Sequence, residues 1–340
     1  MSTQEVIPDY LMPATSGEQL LDNGQGIIDP DVYFNTNKPP ADLDRFEQRL
    51  SAFVDYHRQQ GTRVVLITSG GTTVPLENQT VRFIDNFSNG NRGATSAEYF
   101  IKAGYAVVFM HRQFSLEPFQ RHYTHNPNRA FLDYMVTKED GSVCVDPAYA
   151  KEMHVILTEY HRAKEQNMLL QLDFVTLSDY LFKLQSACHI LARLGNKSMY
   201  YLAAAVSDFF IPSQKMAEHK IQSRDGALNL VLDQVPKFLK PLVSNWASQG
   251  LIVSFKLETD MSLLVPKARQ ALQRYGHQVV IGNMLKTRKQ TVTMIMNATE
   301  KELSLTPEEL NEGVEIESMI IPALVHIHDR WIASGHTDSP

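Results

Sequence analysis

Val64-Val65-Leu66-Ile67-Thr68 runs without a break into Ser69-Gly70-Gly71-Thr72. A continuous apolar run of this length suits a parallel strand that is buried on both faces. Adjacent glycines directly after it let the backbone approach a ligand closely and point amide N–H groups at it. After a loop, Gly93-Ala94-Thr95-Ser96-Ala97-Glu98-Tyr99-Phe100-Ile101 reads as a helix closed by Gly104. Ala106-Val107-Val108-Phe109-Met110 then reads as a second buried strand. Strand, glycine-rich loop, helix and strand in this order make a βαβ unit, the building block of a parallel sheet.

On the N-terminal side, Leu43, Phe46, Leu50, Phe53 and Val54 form an apolar stripe at helical spacing, and Gly61 ends it. Residues 1–40 are rich in Pro, Asn, Asp and Gly and close on Asn37-Lys38-Pro39-Pro40, which predicts an extended arm. On the C-terminal side, helices are expected over Pro147 to Glu165, Leu177 to Arg193, Ser262 to Tyr275 and Glu315 to Ile332. Strands are expected at Met199 to Ala203, Leu251 to Phe255, Gln278 to Ile281 and Thr291 to Met296. Residues 111 to about 170 are less periodic and include a polar and aromatic loop from Phe114 to Pro127. The expectation is an α/β fold: one doubly wound, mostly parallel, Rossmann-like sheet over residues 41–335, with helices on both faces and inserted loops.

The 340 residues are 43% hydrophobic and 21% charged, as a packed core requires, and the net charge of −6 excludes a global basic surface for nucleic acid. Any phosphate-bearing ligand must therefore be held locally. Cys144 and Cys188 are the only cysteines and belong to no CxxC or nucleophile motif. That usage fits a reducing cytoplasm, with cysteine as a small core residue. No apolar run approaches the ~20 residues needed to span a bilayer, and Met1 to Tyr10 lacks the pattern of a secretory signal. No histidine pair has metal-ligand spacing, so a protein-built metal site is not expected.

Ligands of open parallel sheets bind beyond the carboxyl ends of the strands, so the residues after each strand carry the chemistry. After the first strand, the loop runs through Asn86-Phe87-Ser88-Asn89-Gly90-Asn91-Arg92-Gly93 to a helix start, where free amides and the helix dipole favour phosphate. After the third comes Ala203-Ala204-Ala205-Val206-Ser207-Asp208; the alanines open space and Asp208 can hold an amide or hydroxyl, or simply cap the next helix. Phe255 ends the fourth strand and could stack on a base, and Asn283 after the fifth could read its edge. Core packing and a turn are their plainer readings. Lys220 stands in Glu218-His219-Lys220-Ile221, and its context alone reads as a solvated surface charge.

Taken together, ITSGGTTVPLENQTVRFIDNFSNGNRGATSAEYFIKAGY, YLAAAVSDFFIP, EHKIQS, VSFKLETD and GVEIE resemble the phosphopantothenoylcysteine synthetase (phosphopantothenate–cysteine ligase) family, in its eukaryotic single-function form. The resemblance spans about residues 42 to 330 and weakens from 113 to 170. It implies a ligase of coenzyme A biosynthesis that joins 4′-phosphopantothenate to L-cysteine through an acyl-nucleotidyl intermediate. ATP is the implied nucleotide, bringing Mg²⁺ with it. Residue by residue, it implies that Gly70, Ser88, Gly90, Gly93, Phe255 and Asn283 contact the nucleotide. It likewise implies that Asn86, Ala204, Ala205 and Asp208 hold phosphopantothenate, that Asn86 polarises the acyl carbonyl, and that Lys220 closes over the intermediate as a flap lysine. A homodimer whose neighbouring subunit completes the phosphopantothenate site also follows from the resemblance, and association with other coenzyme A enzymes is compatible with it. Two rivals are weaker. A Rossmann oxidoreductase needs GxGxxG and an acid after the second strand, where this chain has His111-Arg112. A catalytically silent homologue would be expected to have a damaged glycine loop or Lys220, and both are intact.

Overall fold

The computed structural model describes residues 29–124, 129–223 and 226–335. Helices α1 (Pro30–Thr36) and α2 (Leu43–Gln60) precede strand β1 (Val64–Ser69). The short antiparallel hairpin of β2 (Thr73–Pro75) and β3 (Phe83–Asp85) then leads to α3 (Asn91–Lys102) and β4 (Ala106–Arg112). A second hairpin, β5 (Met135–Thr137) and β6 (Val143–Val145), precedes α4 (Pro147–Glu165), β7 (Leu169–Phe174), α5 (Leu177–Leu191) and β8 (Ser198–Leu202). Next, β9 (Phe209–Phe210) pairs with β10 (Asp233–Gln234), followed by the single turn α6 (Leu239–Pro241), β11 (Leu251–Glu258) and α7 (Met261–Tyr275). The chain continues through β12 (Val279–Met284), β13 (Thr291–Ile295), β14 (Glu300–Ser304), α8 (Pro307–Asn311) and α9 (Glu317–Ser334).

Among the described residues the main sheet has the order β14-β13-β12-β11-β8-β1-β4-β7. The six strands from β12 to β7 are parallel, and β13 and β14 continue the sheet antiparallel. Winding runs outward from β1 through β4 to β7, returns to β8, and proceeds through β11 to β12. This is the doubly wound order, and it reverses between β1 and β8.

Each central strand is buried on both faces, as its unbroken apolar run requires. Val64 and Leu66 meet Phe46, Leu50 and Phe53 of α2 and Leu181 and Leu184 of α5. Val65 and Ile67 point the other way, to Ala94, Ala97 and Phe100 of α3 and Ile320 and Leu324 of α9. Gly61 closes α2 in the left-handed conformation (φ 68°), accepted without strain because it has no Cβ. None of the helices among the described residues is long and apolar enough to cross a membrane.

Three features differ from the sequence reading. Within the expected extended arm, Pro30–Thr36 forms a helix, capped by the Asp29 side chain accepting from Asp31 N at 2.8 Å. Its Tyr33 is 2% exposed and joins Phe34, Phe182, Phe210, Phe238 and Trp246 in an aromatic cluster with ring centroids 5.0–6.4 Å apart. Residues 1–28 of that arm lie outside the described residues. The second feature is the β5–β6 hairpin and β7, in and just after the less periodic stretch, where no strand was expected; the third is β14, a further edge strand.

Candidate functional site

The loops after β1 and β8, the two strands flanking the reversal, lie side by side. Thr72 N donates to Ala205 O (3.1 Å) and Ala205 N to Gly70 O (2.8 Å), a parallel bridge that extends the β1–β8 pairing past the sheet edge. Hydroxyls reinforce it: Thr68 Oγ1 accepts from Ala204 N (3.2 Å) and Thr72 Oγ1 from Ser207 N (3.0 Å). Both carbonyl-end loops are therefore held as one wall. The β2–β3 hairpin then brings Asn86 back to this wall, where Asn86 N donates to Thr72 O (3.0 Å) and Asn86 Nδ2 to Val206 O (3.1 Å).

The glycines are required by geometry. Gly70 and Gly90 have φ of 82° and 83°, the left-handed region. A Cβ on Gly71 would lie 1.8 Å from Asn86 O, and one on Gly93 would lie 2.4 Å from Ser69 Oγ. Gly93 thus lets the first turn of α3 rest directly on the end of β1. Ser69 Oγ in turn donates to Gly90 O (3.1 Å), and Ser88 Oγ accepts from Gly90 N at 3.4 Å. The result is a backbone-lined crevice at the α3 N-terminus, where first-turn amides and the helix dipole favour anions.

The structure brings Gly70, Ser88, Gly90, Gly93, Asn86, Ala204 and Ala205 together here. Asp208 follows on the same loop, exposed, with its carbonyl accepting from Val235 N at 2.9 Å. Asn283 lies within β12, one residue before its end rather than after it, and Phe255 lies inside the neighbouring β11, which runs on past the expected close at Phe255 to Glu258. Phe255 is half-buried, edge-on to Tyr201 of β8 at 4.9 Å, and Asn283 is buried.

Lys220 is exposed and lies on a segment after β9 that is tied to the hairpin rather than to the sheet. Asn78 N donates to Ala217 O (2.9 Å), Gln79 N to Glu218 O (3.3 Å) and Asn78 Nδ2 to Glu218 Oε2 (2.8 Å). Glu77, whose side chain is 0% exposed, lies beneath this contact and pairs with Arg82 at 3.0 Å. Burial alone would raise its carboxyl. Hydrogen bonds from the amides of Arg82, Ile221 and Val81, with the Arg82 charge, outweigh that and hold it below the usual carboxylate range. Elsewhere, burial pushes the Cys188 thiol well up, so it stays protonated as a core residue.

The chain matches the family model of the DNA/pantothenate metabolism flavoprotein C-terminal domain over residues 60–131 and 154–314. Phosphopantothenate–cysteine ligase CAB2 of Saccharomyces cerevisiae is 44% identical over 327 residues, covering 90% of this chain and 87% of its own length. The chain belongs to the phosphopantothenate–cysteine ligase family. The human phosphopantothenate–cysteine ligase is likewise 44% identical, over 85% of this chain and 92% of its own. Among solved structures, a Cab2 variant in complex with phosphopantothenate-cysteine superposes with a TM-score of 0.83 at 45% identity, covering 90% of this chain and 99% of that one. The interval between the two family-matched stretches contains the β5–β6 hairpin.

Sequence reasoning missed several residues that build this candidate site. Thr68, Ser69 and Thr72 are buried hydroxyls whose hydrogen bonds stay inside the wall. The first two end the β1 run, where residue type alone does not set them apart from any strand-end Thr or Ser. Glu77 and Arg82 carried no signal, because a Glu and an Arg five residues apart on a loop usually face solvent.

Proposed function

We propose that this ligase joins 4′-phosphopantothenate to L-cysteine through an acyl-nucleotidyl intermediate, using ATP, with Mg²⁺ arriving on the nucleotide phosphates. The observation that carries this reading is the crevice between β1 and β8, where left-handed Gly70 and Gly90 and the start of α3 offer backbone amides to an anion. In the first step a carboxylate oxygen attacks the α-phosphorus, pyrophosphate leaves, and a mixed anhydride forms. In the second, the cysteine amine adds to the acyl carbonyl, the bond from that carbon to the phosphate oxygen breaks, and AMP departs. A free carboxylate is a poor acyl donor, so the protein's contribution is positioning and charge neutralisation.

Asn86 fits the acyl carbonyl. One N–H of its amide is held by Val206 O, and its NH₂ has a second to donate. Ser88, Gly90 and Gly93 suit the phosphates, while Phe255 and Asn283 suit the base and ribose. Ala204, Ala205 and Asp208 border the phosphopantothenate side, and Lys220 supplies a positive charge that offsets the phosphates. The exposed apolar residues Val81 (53%), Phe83 (52%) and Phe87 (82%) flank this site and support a homodimer that covers them. A cytoplasmic location agrees with two free cysteines, Cys144 and Cys188.

The test is pyrophosphate release by purified protein given ATP, phosphopantothenate and cysteine. Release that needs phosphopantothenate, with ATP far outperforming CTP at matched concentration, supports the proposal. ADP and phosphate as products would overturn the intermediate, and equal turnover with CTP would overturn the nucleotide choice.

A further inference from the structure

Two segments that carry proposed reacting groups meet at one buried carboxylate. Glu77 sits in the turn of the β2–β3 hairpin, eight positions along the chain from the Asp85 end of β3 that delivers Asn86. Its Oε2 accepts from the amides of Val81 (3.3 Å) and Arg82 (3.0 Å), which shapes the hairpin turn. Its Oε1 accepts from Arg82 Nη1 (3.0 Å) and from Ile221 N (3.4 Å), the residue next to Lys220. The same Arg82 Nη1 donates to Ile221 O at 3.0 Å. Both backbone groups of Ile221 are therefore engaged by the Glu77–Arg82 pair. Lys220 is bracketed between this clamp and the backbone contacts of Ala217 and Glu218 with Asn78 and Gln79.

A carboxylate with no exposed surface costs stability unless every lone pair is used, and here four donors use them. A salt bridge of this kind, with one partner fully buried, is a poor way to stabilise a surface hairpin, because desolvation offsets most of the attraction. It is a good way to hold one geometry, because its donors are fixed in direction. An exposed lysine on a surface segment needs that fixed geometry if its charge is to meet a phosphate.

The geometry points to Glu77 as a positioning residue for the ligase reaction: it latches the Lys220 segment onto the hairpin that carries Asn86. Glu77 itself touches no substrate and acts through Lys220. This rests on the proposed role of Lys220 and adds the group that makes that role geometrically possible.

A double-mutant cycle of Glu77→Gln and Lys220→Gln tests it, with kcat, the dissociation constant for ATP and the unfolding midpoint read for all four proteins. Glutamine keeps the size of the side chain but replaces one acceptor oxygen by a donor and removes the charge facing Arg82. Glu77→Gln is expected to lower kcat about ten- to a hundred-fold, the scale of misplacing a catalytic group, while ATP affinity stays within about two-fold. In the Lys220→Gln background the same change is expected to lower kcat no further, because the latch then holds nothing that reacts. An equal loss in both backgrounds, or an unchanged kcat in Glu77→Gln, overturns the proposal. A Lys220→Gln protein with the parental kcat overturns the underlying role of Lys220 and, with it, the latch. Should Glu77→Gln not fold, Glu77→Asp serves in its place: it keeps the charge but withdraws the carboxylate from Ile221, and the same two outcomes decide.

Discussion

At the scale of single residues, the crevice depends on absent side chains as much as on present ones. Gly93→Ala would place a Cβ 2.4 Å from Ser69 Oγ and 2.5 Å from its Cβ, so α3 must move off β1. The cost is about 1–3 kcal/mol, the usual range for overpacking. Thermal unfolding is expected to show a midpoint several degrees lower, and an unchanged midpoint would mean the contact is looser than described. Gly70-Gly71 was legible in the sequence because only glycine tolerates a left-handed turn or a backbone this close, and that requirement leaves its mark in residue type. Thr68, Ser69 and Thr72 were not legible, because a hydroxyl that bonds its own scaffold looks in sequence like any strand-end Ser or Thr. Phe255, Asn283 and Lys220 were assigned by resemblance. The structure sets the first two on the neighbouring strands β11 and β12 and gives the third an anchor.

Among the elements, α1 shows why composition misleads. Pro, Asn and Asp surround it, yet Asp29 caps it, Pro30 suits its first turn and Tyr33 enters the aromatic cluster over α5. Tyr33→Ala is expected to cost about 3–5 kcal/mol, as aromatic-to-alanine changes in cores do. Chemical denaturation reads this directly, and a loss under about 1 kcal/mol would return α1 to the status of a loose arm. The edge strands were hard to read for a different reason. In β14 the sequence Glu300-Lys301-Glu302-Leu303-Ser304 buries only Leu303, and charge of this kind protects a sheet edge from pairing with other chains. In β7, Leu169-Leu170-Gln171-Leu172-Asp173-Phe174 interrupts its apolar run with polar residues, as an edge position permits. The central strands β1, β4 and β8 had no such freedom, and their apolar runs disclosed the parallel sheet.

For the molecule as a whole, buried titratable groups set the response to acid. Burial would raise the Glu98 carboxyl, but hydrogen bonds from His122 and Arg121 and the Arg121 charge outweigh it and hold it at about 2 against an ordinary 4.5. The unfolded chain binds this proton more readily. The contribution, about 3 kcal/mol, is therefore present above pH 4.5 and lost as pH falls through 2. Burial keeps His277 and His328 neutral, lowering each from 6.5 to about 4, so their contributions are full above pH 6.5 and lost as pH falls through 4. Denaturation midpoints are expected to fall from pH 7 to 5 and again to 3, with Glu98→Gln flattening the second step. A midpoint flat across that range contradicts this account. The doubly wound order itself places the glycine loop after β1 beside the alanine loop after β8, so the fold creates the crevice that the proposed ligase chemistry uses. That chemistry is tested most directly with phosphopantothenate labelled with ¹⁸O in its carboxylate, turned over with ATP and cysteine. The account predicts that one ¹⁸O is recovered in the phosphate of AMP while pyrophosphate stays unlabelled; label in inorganic phosphate, formed together with ADP, would contradict it.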